Sequence, residues 1–319
     1  MNRASSHEPN GLIFGRPRHR QLRRLAALCV AAVYAGQVLP ALAVPYYLDD
    51  NSNTAGSGVT TPVAWNTGTT WSTDSTGSSA TIAWADGNQA VFSAGNDRVG
   101  AYSVTITGTV NPSGIHVEEG SPTISGGTIN LGADILQIDG GTTAIQSIIS
   151  GAGGFTKTGA GTLVVGGNPS ANSYTGKAIV SQGILGVTGT VGDGTIRGDI
   201  DIASGATLRP DANNMIINTS VIDVAGGATF NRNGSGDAIG GLTGSGNIIG
   251  GGTLELDLRA GLVTTFSGSM TGAALSVRGN NQDGTIAKQV LTGTLNTSGG
   301  NLDIKRGNGA NDAVLLQLA

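Results

Sequence analysis

The feature that most constrains the fold is a set of short stretches in which aliphatic and polar residues alternate strictly. The clearest stretch is 253–258, which reads TLELDL. The same alternation recurs in five other stretches, at 103–107, 128–131, 199–202, 221–224 and 301–304. Alternation places apolar side chains on one face of a strand and polar side chains on the other. Glycine, Asn or Asp interrupts these stretches about every eight to twelve residues. The pattern therefore predicts an all-β protein built from many short strands.

Composition supports short strands joined by tight turns. Glycine contributes 54 of the 319 residues without a three-residue period, which excludes a collagen helix. Charged residues make up 12% of the chain and aromatic residues 4%, both below the usual share in soluble domains. So few charges argue against the highly charged type of disordered chain. Ile, Val, Leu and Ala interleaved with Thr, Ser and Asn are typical of strands and turns.

The glycine-rich stretch 151–163, GAGGFTKTGAGTL, invites comparison with a phosphate-binding loop. A Walker A loop needs Gly, four residues and then Gly-Lys-Ser/Thr. Here Lys157 follows Thr156, and Ala178 follows the Gly176-Lys177 pair. The glycines also lack the spacing of a dinucleotide fingerprint. We therefore expect no nucleotide and no other cofactor.

The same stretch is explained better by structural corners. Glycine adopts positive φ without steric cost, so the chain can turn sharply between short strands. On this interpretation Leu163 and Val165 point into the core, whereas Thr162 and Val164 point outward. Lys157, placed between glycine corners, is interpreted as a solvated charge.

Residues 1–43 have the form of an export signal. Basic residues between Arg16 and Arg24 precede an apolar run from Leu25 to Leu39. That run is shorter than the ~20 residues needed to span a bilayer. Ala41-Leu42-Ala43 matches a small-x-small cleavage site, so we expect cleavage after Ala43. The alternative is that residues 1–43 are retained as a membrane anchor. If they are cleaved, we expect no transmembrane span in the mature chain.

Cleavage there would change the chemistry of the remaining chain. It would remove Cys29, the only cysteine, so disulfides could not stabilise the mature part. It would also remove six basic residues from a chain of net charge −4, leaving a more acidic one. Because phosphate contacts need clustered Lys and Arg, we expect no nucleic-acid partner.

Residues 44–100 differ in composition from the rest and contain all three tryptophans, Trp65, Trp71 and Trp84. We expect irregular strands that cap the first edge of the following structure, because an uncovered repeat end would template aggregation. The alternative is an aromatic platform on which sugars stack.

Internal similarity distinguishes the possible architectures of residues 101–319. Residues 148–187 and 242–277 share the order Gly-x-Gly, Gly-Thr-Leu, aromatic-hydroxyl-Gly, small-Leu. Related phrases stand at 205–208 (GATL) and 227–230 (GATF). A solenoid of stacked coils explains this internal sequence similarity, because each coil is the same structural unit, whereas a β-sandwich does not explain it. An antiparallel sandwich stays the alternative fold.

Residues 148–187, IISGAGGFTKTGAGTLVVGGNPSANSYTGKAIVSQGILGV, resemble the autotransporter-associated β-strand repeat. This glycine-rich unit occurs in passenger regions of exported proteins of Gram-negative bacteria. Residues 242–277 resemble a degenerate second unit, and residues 198–210 are similar to the segment that often follows. The resemblance implies a right-handed parallel β-helix, with an irregular N-terminal cap, at the cell surface or released from it.

One family feature is missing from the sequence. Autotransporters end in an outer-membrane β-barrel, which would show as successive alternating segments of about ten residues with aromatic girdles. The C-terminal part of this sequence does not have that form. We therefore expect a passenger without its own translocator, a truncated reading frame or a protein released by another route.

Parallel β-helices also carry pectin-lyase-like enzymes, so an enzyme on this scaffold is an alternative. Such sites need clustered Asp or Glu for calcium and a Lys or Arg base. Asp201, Asp223 and Asp257 are single outward positions, which we interpret as a solvated face, with a calcium-binding ladder as the alternative. His116 is the only histidine after the predicted signal, which argues against zinc clusters and histidine triads. We expect no catalytic and no metal-binding residues.

Arg197-Gly198-Asp199 spells an adhesion tripeptide. It would bind an integrin if it lay in an exposed loop, but a chain rich in Gly and Asp also produces the triplet by chance. Asp199 begins an alternating strand, which would tie the triplet to a coil corner.

The export signal and the family resemblance together predict an exported structural or surface-display protein of a Gram-negative bacterium. Adhesion or interaction would use its polar face, with a protein or a polysaccharide as the surface ligand. The alternative is a carbohydrate-active enzyme of the pectin-lyase type on the same scaffold. Converging Asp and Arg side chains in a groove would favour the enzyme.

Overall fold

The structure, a computed structural model, describes residues 43–166, 172–189, 194–280, 286–297, 302–305 and 314–318. The predicted signal segment up to residue 42 lies outside these ranges. The described residues form strands and connecting turns without a helix, so none of them forms a helix able to cross a bilayer.

The strands are β1 (Pro45–Leu48), β2 (Val63–Ala64), β3 (Trp71–Ser72), β4 (Gln89–Phe92), β5 (Ala101–Thr105), β6 (Thr109–Val110), β7 (Ile115–Val117), β8 (Ser121–Ser125), β9 (Thr128–Asn130), β10 (Asp134–Ile138), β11 (Thr142–Ile145), β12 (Ile148–Ser150), β13 (Phe155–Thr158), β14 (Thr162–Val165), β15 (Ala178–Val180), β16 (Ile184–Val187), β17 (Ile200–Ile202), β18 (Thr207–Pro210), β19 (Val221–Val224), β20 (Thr229–Asn231), β21 (Asp237–Ile239), β22 (Gly241–Gly244), β23 (Asn247–Ile249), β24 (Thr253–Arg259), β25 (Val263–Phe266), β26 (Ser269–Thr271), β27 (Ala274–Asn280), β28 (Ala287–Leu291), β29 (Thr294–Asn296), β30 (Leu302–Lys305) and β31 (Val314–Leu318).

These strands stack into a parallel β-solenoid. One sheet has thirteen strands in the order β3-β1-β4-β7-β10-β13-β15-β17-β19-β22-β25-β28-β31, and a second has eleven, β2-β5-β8-β11-β14-β16-β18-β20-β23-β26-β29. A third face carries the short sheets β12-β9-β6 and β21-β24-β27-β30. Among the described strand pairs every pairing is parallel except that of β1 with β3. The all-β, parallel solenoid predicted from the sequence is therefore confirmed.

Inward-facing side chains form columns along the stack. In the eleven-stranded sheet Leu163 is the partner of Leu185, Leu185 of Leu208, and Leu208 of Phe230. All four side chains are fully buried. Burying such a side chain contributes about 1.5–3 kcal/mol relative to leaving it exposed. The GATL and GATF motifs thus lead into neighbouring strands, β18 and β20, of adjacent coils.

The predicted inward positions of Leu163 and Val165 are confirmed by their complete burial, whereas Thr162 and Val164 face outward. The two Gly-Thr-Leu phrases do not share a face. The first leads into β14 of the eleven-stranded sheet, and the second leads into β24 of the four-stranded sheet. The bounds of the two repeats stay predictions.

Glycine corners let adjacent coils approach closely. Gly159 has a φ of +77°, and a Cβ there would lie 2.2 Å from the carbonyl oxygen of Ile138 in the neighbouring coil. Gly205 has a similar φ of +80°, but a Cβ there would meet nothing within 4 Å. The first glycine is therefore required by both backbone conformation and space, and the second by conformation alone.

On the third face, an asparagine side chain bonds to the backbone of the coils on both sides. Asn172 lies between the two short sheets, where the described chain forms no strand. Its Oδ1 accepts a hydrogen bond from Ile149 N at 2.8 Å, and its Nδ2 donates to Thr195 O at 3.0 Å. The amide therefore satisfies backbone groups of the coils on both sides, as a strand would.

The N-terminal end is covered by an irregular cap, as the sequence predicts. β3 is the outermost strand of the thirteen-stranded sheet and pairs antiparallel with β1. Trp65 and Trp71 are fully buried, and their rings lie 5.2 and 5.5 Å from that of Phe92. Because both indoles are enclosed, neither serves as a sugar-stacking platform.

Lys157 corrects an expectation from the sequence. It is not a solvated charge: its side chain is 0% exposed and lies in the inward column of the thirteen-stranded sheet. Its Nζ donates to the carbonyl oxygens of Thr158 and Gly159 at 2.8 Å and of Gln182 at 3.1 Å. These three carbonyls use all three ammonium donors, which permits burial of the group.

Candidate functional site

A polar groove lies on the outward face of the thirteen-stranded sheet, across β15, β17, β19 and β22. It has a volume of about 300 Å³ and is open to solvent. Its lining consists of Lys177, Asp199, Asp201, Val221, Asp223 and Thr243. Alternation explains its polarity, since burial of Ile200 and Ile202 turns Asp201 outward.

The groove contains a ladder of outward side chains on successive rungs. Asp201 pairs with Asp223, and Asp223 pairs with Thr243. Neighbouring rungs lie about 4.8 Å apart in such sheets. Thr243 Oγ1 donates to Asp223 Oδ1 at 2.6 Å. The ladder therefore presents regularly spaced oxygen atoms along the axis of the stack.

Lys177 supplies a positive charge at one end of the groove. Its Nζ donates to both carboxylate oxygens of Asp201, at 2.9 and 2.8 Å. This hydrogen bonding raises the pKa of Lys177 above its ordinary value. Lys177 and Asp201 therefore form an ion pair that places one positive and one negative charge at this end of the groove.

The tripeptide Arg197-Gly198-Asp199 is built into a corner of the stack beside this groove. Arg197 N donates to Tyr174 Oη at 3.1 Å, and Gly198 O accepts a bond from Ser220 Oγ at 2.6 Å. A Cβ at Gly198 would lie 2.1 Å from Gly176 O. Asp199 is exposed, and its Oδ1 accepts a bond from Val221 N at 2.8 Å. The carboxylate of Asp199 borders the groove; an adhesive role for the tripeptide stays a prediction.

Asp257 was expected on a solvated face with Asp201 and Asp223, and this expectation is wrong. Its side chain is only 4% exposed because Arg278, its partner on the next rung, covers it. Arg278 Nη2 lies 3.1 Å from Asp257 Oδ2 and 2.8 Å from Glu255 Oε1. In the described part of the chain, no three His, Cys, Asp or Glu side chains are arranged to hold one metal ion.

Two further residues singled out in the sequence lie away from the groove. His116 is half-buried on β7, and its Nε2 lies 2.8 Å from Asp139 Oδ2. Ala43, the predicted cleavage position, is exposed and lies two residues before the start of β1. Neither residue is brought together with the tripeptide or the aspartate ladder in the structure.

Comparison with known proteins gives one informative relative. Over 230 residues, or 71% of the chain, the sequence is 31% identical to the adhesin BmaC autotransporter of Brucella suis biovar 1 (strain 1330). The chain spans about 6% of the length of that relative. No protein-family model matches the chain, and no solved structure matches it. The chain is thus similar in sequence to part of an autotransporter adhesin, and its own fold is a parallel β-solenoid.

Proposed function

We propose that this chain is the β-solenoid of an adhesin-like, passenger-type protein exported to the surface of a Gram-negative bacterium. The observation that carries the proposal is the 31% identity over 230 residues to an autotransporter adhesin. The fold supports it, because each added rung extends a stiff stack and lengthens an exposed polar face. Such a stack holds a contact surface away from the cell envelope.

The adhesive contact we propose is the polar groove. Its ladder of Asp201, Asp223 and Thr243 presents hydrogen-bond acceptors, and Lys177 presents donors, without a deep pocket. A shallow row of polar groups suits an extended protein or polysaccharide ligand that bonds at several points. An enzyme of the pectin-lyase type is the weaker candidate, because Lys177, the one basic side chain that lines the groove, is already paired with Asp201.

Export is tested by expressing the full chain in a Gram-negative host and probing intact cells with an antibody against the solenoid. We expect labelling of intact cells, or the protein in the medium, and an N-terminus beginning at Val44. Retention in the cytoplasm with an intact N-terminus, when the protein is made in its native species, would contradict the proposal.

Adhesion is tested with beads coated with the full chain, applied to cultured epithelial cells and to immobilised extracellular-matrix proteins and polysaccharides. Asp201→Asn combined with Asp223→Asn should lower bead retention several-fold, because it removes two outward carboxylates without touching the core. Thr162→Ala, an outward change on the eleven-stranded sheet, is the matched control and should leave retention unchanged. Equal retention of beads coated with the double variant and with the unmodified chain would show that the groove is not the adhesive contact.

The tripeptide is examined separately with Asp199→Glu, which keeps the charge but lengthens the side chain. Loss of bead retention with this variant alone would assign adhesion to the tripeptide. Cleavage of any of the polysaccharides by the coated beads, detected as new reducing ends or unsaturated products, would instead favour the enzyme.

A further inference from the structure

The N-terminal cap contains three buried side-chain oxygen atoms that have no hydrogen-bond partner. They are Asp49 Oδ2, Asn51 Oδ1 and Ser57 Oγ. The side chains of Asp49 and Ser57 are 0% exposed. A buried polar atom without a partner lowers stability, and buried polar groups in native proteins are almost always satisfied. Three such atoms close together in the sequence call for an explanation.

The three atoms belong to one tightly folded loop. Asp50 N donates to Ser57 O at 2.9 Å, which closes the loop between these residues. Asn51 N donates to Asp49 Oδ1 at 3.0 Å, so one carboxylate oxygen of Asp49 is occupied and the other is left over. A Cβ at Gly58 would lie 3.2 Å from Asn51 Cβ, so the two sides of the loop are in contact.

The surroundings of this loop carry an excess of negative charge. Asp50 is paired with Arg98, whose Nη2 donates to Asp50 Oδ2. Asp97 Oδ1 accepts a hydrogen bond from Ser57 N at 2.8 Å. The guanidinium of Arg98 is therefore engaged by Asp50, while Asp49, the residue before it, brings a second buried carboxylate to the loop. Buried carboxylates are stable only when a cation or several hydrogen-bond donors compensate their charge.

We propose that this loop binds a calcium ion through Asp49 Oδ2, Asn51 Oδ1 and Ser57 Oγ. Carboxylate, amide and hydroxyl oxygens are hard donors, and Ca²⁺ accepts six to eight oxygen ligands in flexible geometries, some of them from backbone and water. Asp49, Asn51 and Asn53 also stand at alternate positions, the spacing in which calcium loops place their first oxygen donors. The ion would compensate the local negative charge.

The affinity expected is that of an extracellular calcium module, with a dissociation constant of about 10⁻⁴–10⁻³ M. One carboxylate among the three donors gives weak binding, and the loop lacks the glycine and the bidentate glutamate of an EF-hand. The proposal is independent of the adhesive role. The spacing Asp49-x-Asn51-x-Asn53 alone does not distinguish this loop from an ordinary surface turn, whereas the burial of Asp49 and Ser57 does.

The first test uses Tb³⁺ as a luminescent substitute for Ca²⁺ on the full chain. All three tryptophans lie in the cap, and Asp49 N bonds to Thr70 O beside Trp71. Light absorbed by tryptophan should therefore sensitise Tb³⁺ emission that added Ca²⁺ displaces. Asp49→Asn should abolish this emission. Asp201→Asn with Asp223→Asn, which alters the distant ladder, should leave it unchanged.

The second test measures the melting temperature of the full chain in Ca²⁺ and in a chelator. We expect Ca²⁺ to raise the melting temperature of the unmodified chain by about 2–4 °C and that of Asp49→Asn not at all. Asn keeps the oxygen that accepts the bond from Asn51 N but removes the buried charge. In chelator, therefore, Asp49→Asn should be at least as stable as the unmodified chain.

Ser57→Ala provides a second variant with the same expectation in case Asp49→Asn folds poorly. A buried water molecule is the competing explanation of the unpartnered oxygens. An unchanged melting temperature of the unmodified chain in Ca²⁺, or Tb³⁺ emission that survives Asp49→Asn, would overturn the proposal.

Discussion

Lys157 on β13 lies directly beside Leu136 on β10, and both side chains are fully buried in the same inward column. The next rung places Val180 beside Lys157. A lysine therefore occupies a position that its neighbours fill with aliphatic side chains. Its Nζ is held by carbonyl oxygens from two coils, those of Thr158 and Gly159 in its own coil and of Gln182 in the next.

Lys157→Met should destabilise the protein by about 2–4 kcal/mol, because it leaves three carbonyl oxygens without their donor. Methionine keeps a similar length and fills the column, so lost volume contributes little. Urea unfolding of the full chain measures the change. Lys177→Met is the matched control: the ion pair of Lys177 with Asp201 is largely exposed, and its loss should cost less than about 1 kcal/mol. Equal costs for the two variants would contradict the structural role of Lys157.

The stability of the protein should rise with pH above about pH 8. Burial lowers the pKa of Lys157 from 10.5 to about 8, while the negative charge of Asp139 acts in the opposite direction. Between these two values the unfolded chain binds more protons at this residue than the folded chain does. The contribution of Lys157 to the free energy of unfolding therefore increases as the pH rises through this window.

The pH dependence of stability reports on Lys157 only below about pH 10, because the buried hydroxyls of Tyr102 and Tyr174 also affect stability at higher pH. Burial raises the pKa of both hydroxyls. Above that pH these tyrosines ionise more readily in the unfolded chain and lower the stability. The measurement compares urea midpoints of the unmodified chain and of Lys157→Met at several values between pH 8 and 10. The difference between them should widen with pH; a constant difference would show that Lys157 does not titrate in this range.

Alternation in the sequence was enough to predict the inward positions of Leu163 and Val165. The same period-two pattern places Phe155 and Lys157 on the inward face, but the charge of lysine favours solvent when it is considered alone. The prediction for Lys157 failed because one of its acceptors, Gln182 O, is brought near only by the stacking of coils. Asp257 was misplaced for the same reason, since Arg278, which covers it, comes from the next coil.

Gly159→Ala should destabilise the stack more than Gly205→Ala does. Both glycines have a φ near +80°, so alanine is strained by roughly 1 kcal/mol or more at either position. At Gly159 the new Cβ would also lie 2.2 Å from Ile138 O, which forces adjacent coils apart. Thermal unfolding of the two variants measures the difference. Similar melting temperatures would indicate that the coils do not approach at Gly159.

The candidate groove could be predicted from the sequence only in part. Alternation around Asp201 and Asp223 indicates that both side chains face outward, and the structure places them on adjacent rungs. The contribution of Lys177 could not be predicted, because its bond to Asp201 joins two coils. The register of the coils is the information that the sequence does not supply.

That register is tested most directly by a disulfide between adjacent rungs. Thr207 and Thr229 are partners on the outward face of β18 and β20. Cysteines at both positions, with Cys29 replaced by Ser, should be within the Cα separation of 4.4–6.8 Å that a disulfide needs. Thr207→Cys with Asn231→Cys, displaced by two residues along β20, is the control. Mass spectrometry after mild oxidation should find a disulfide in the first variant and free thiols in the second. A disulfide that forms only in the displaced pair would contradict parallel, in-register stacking.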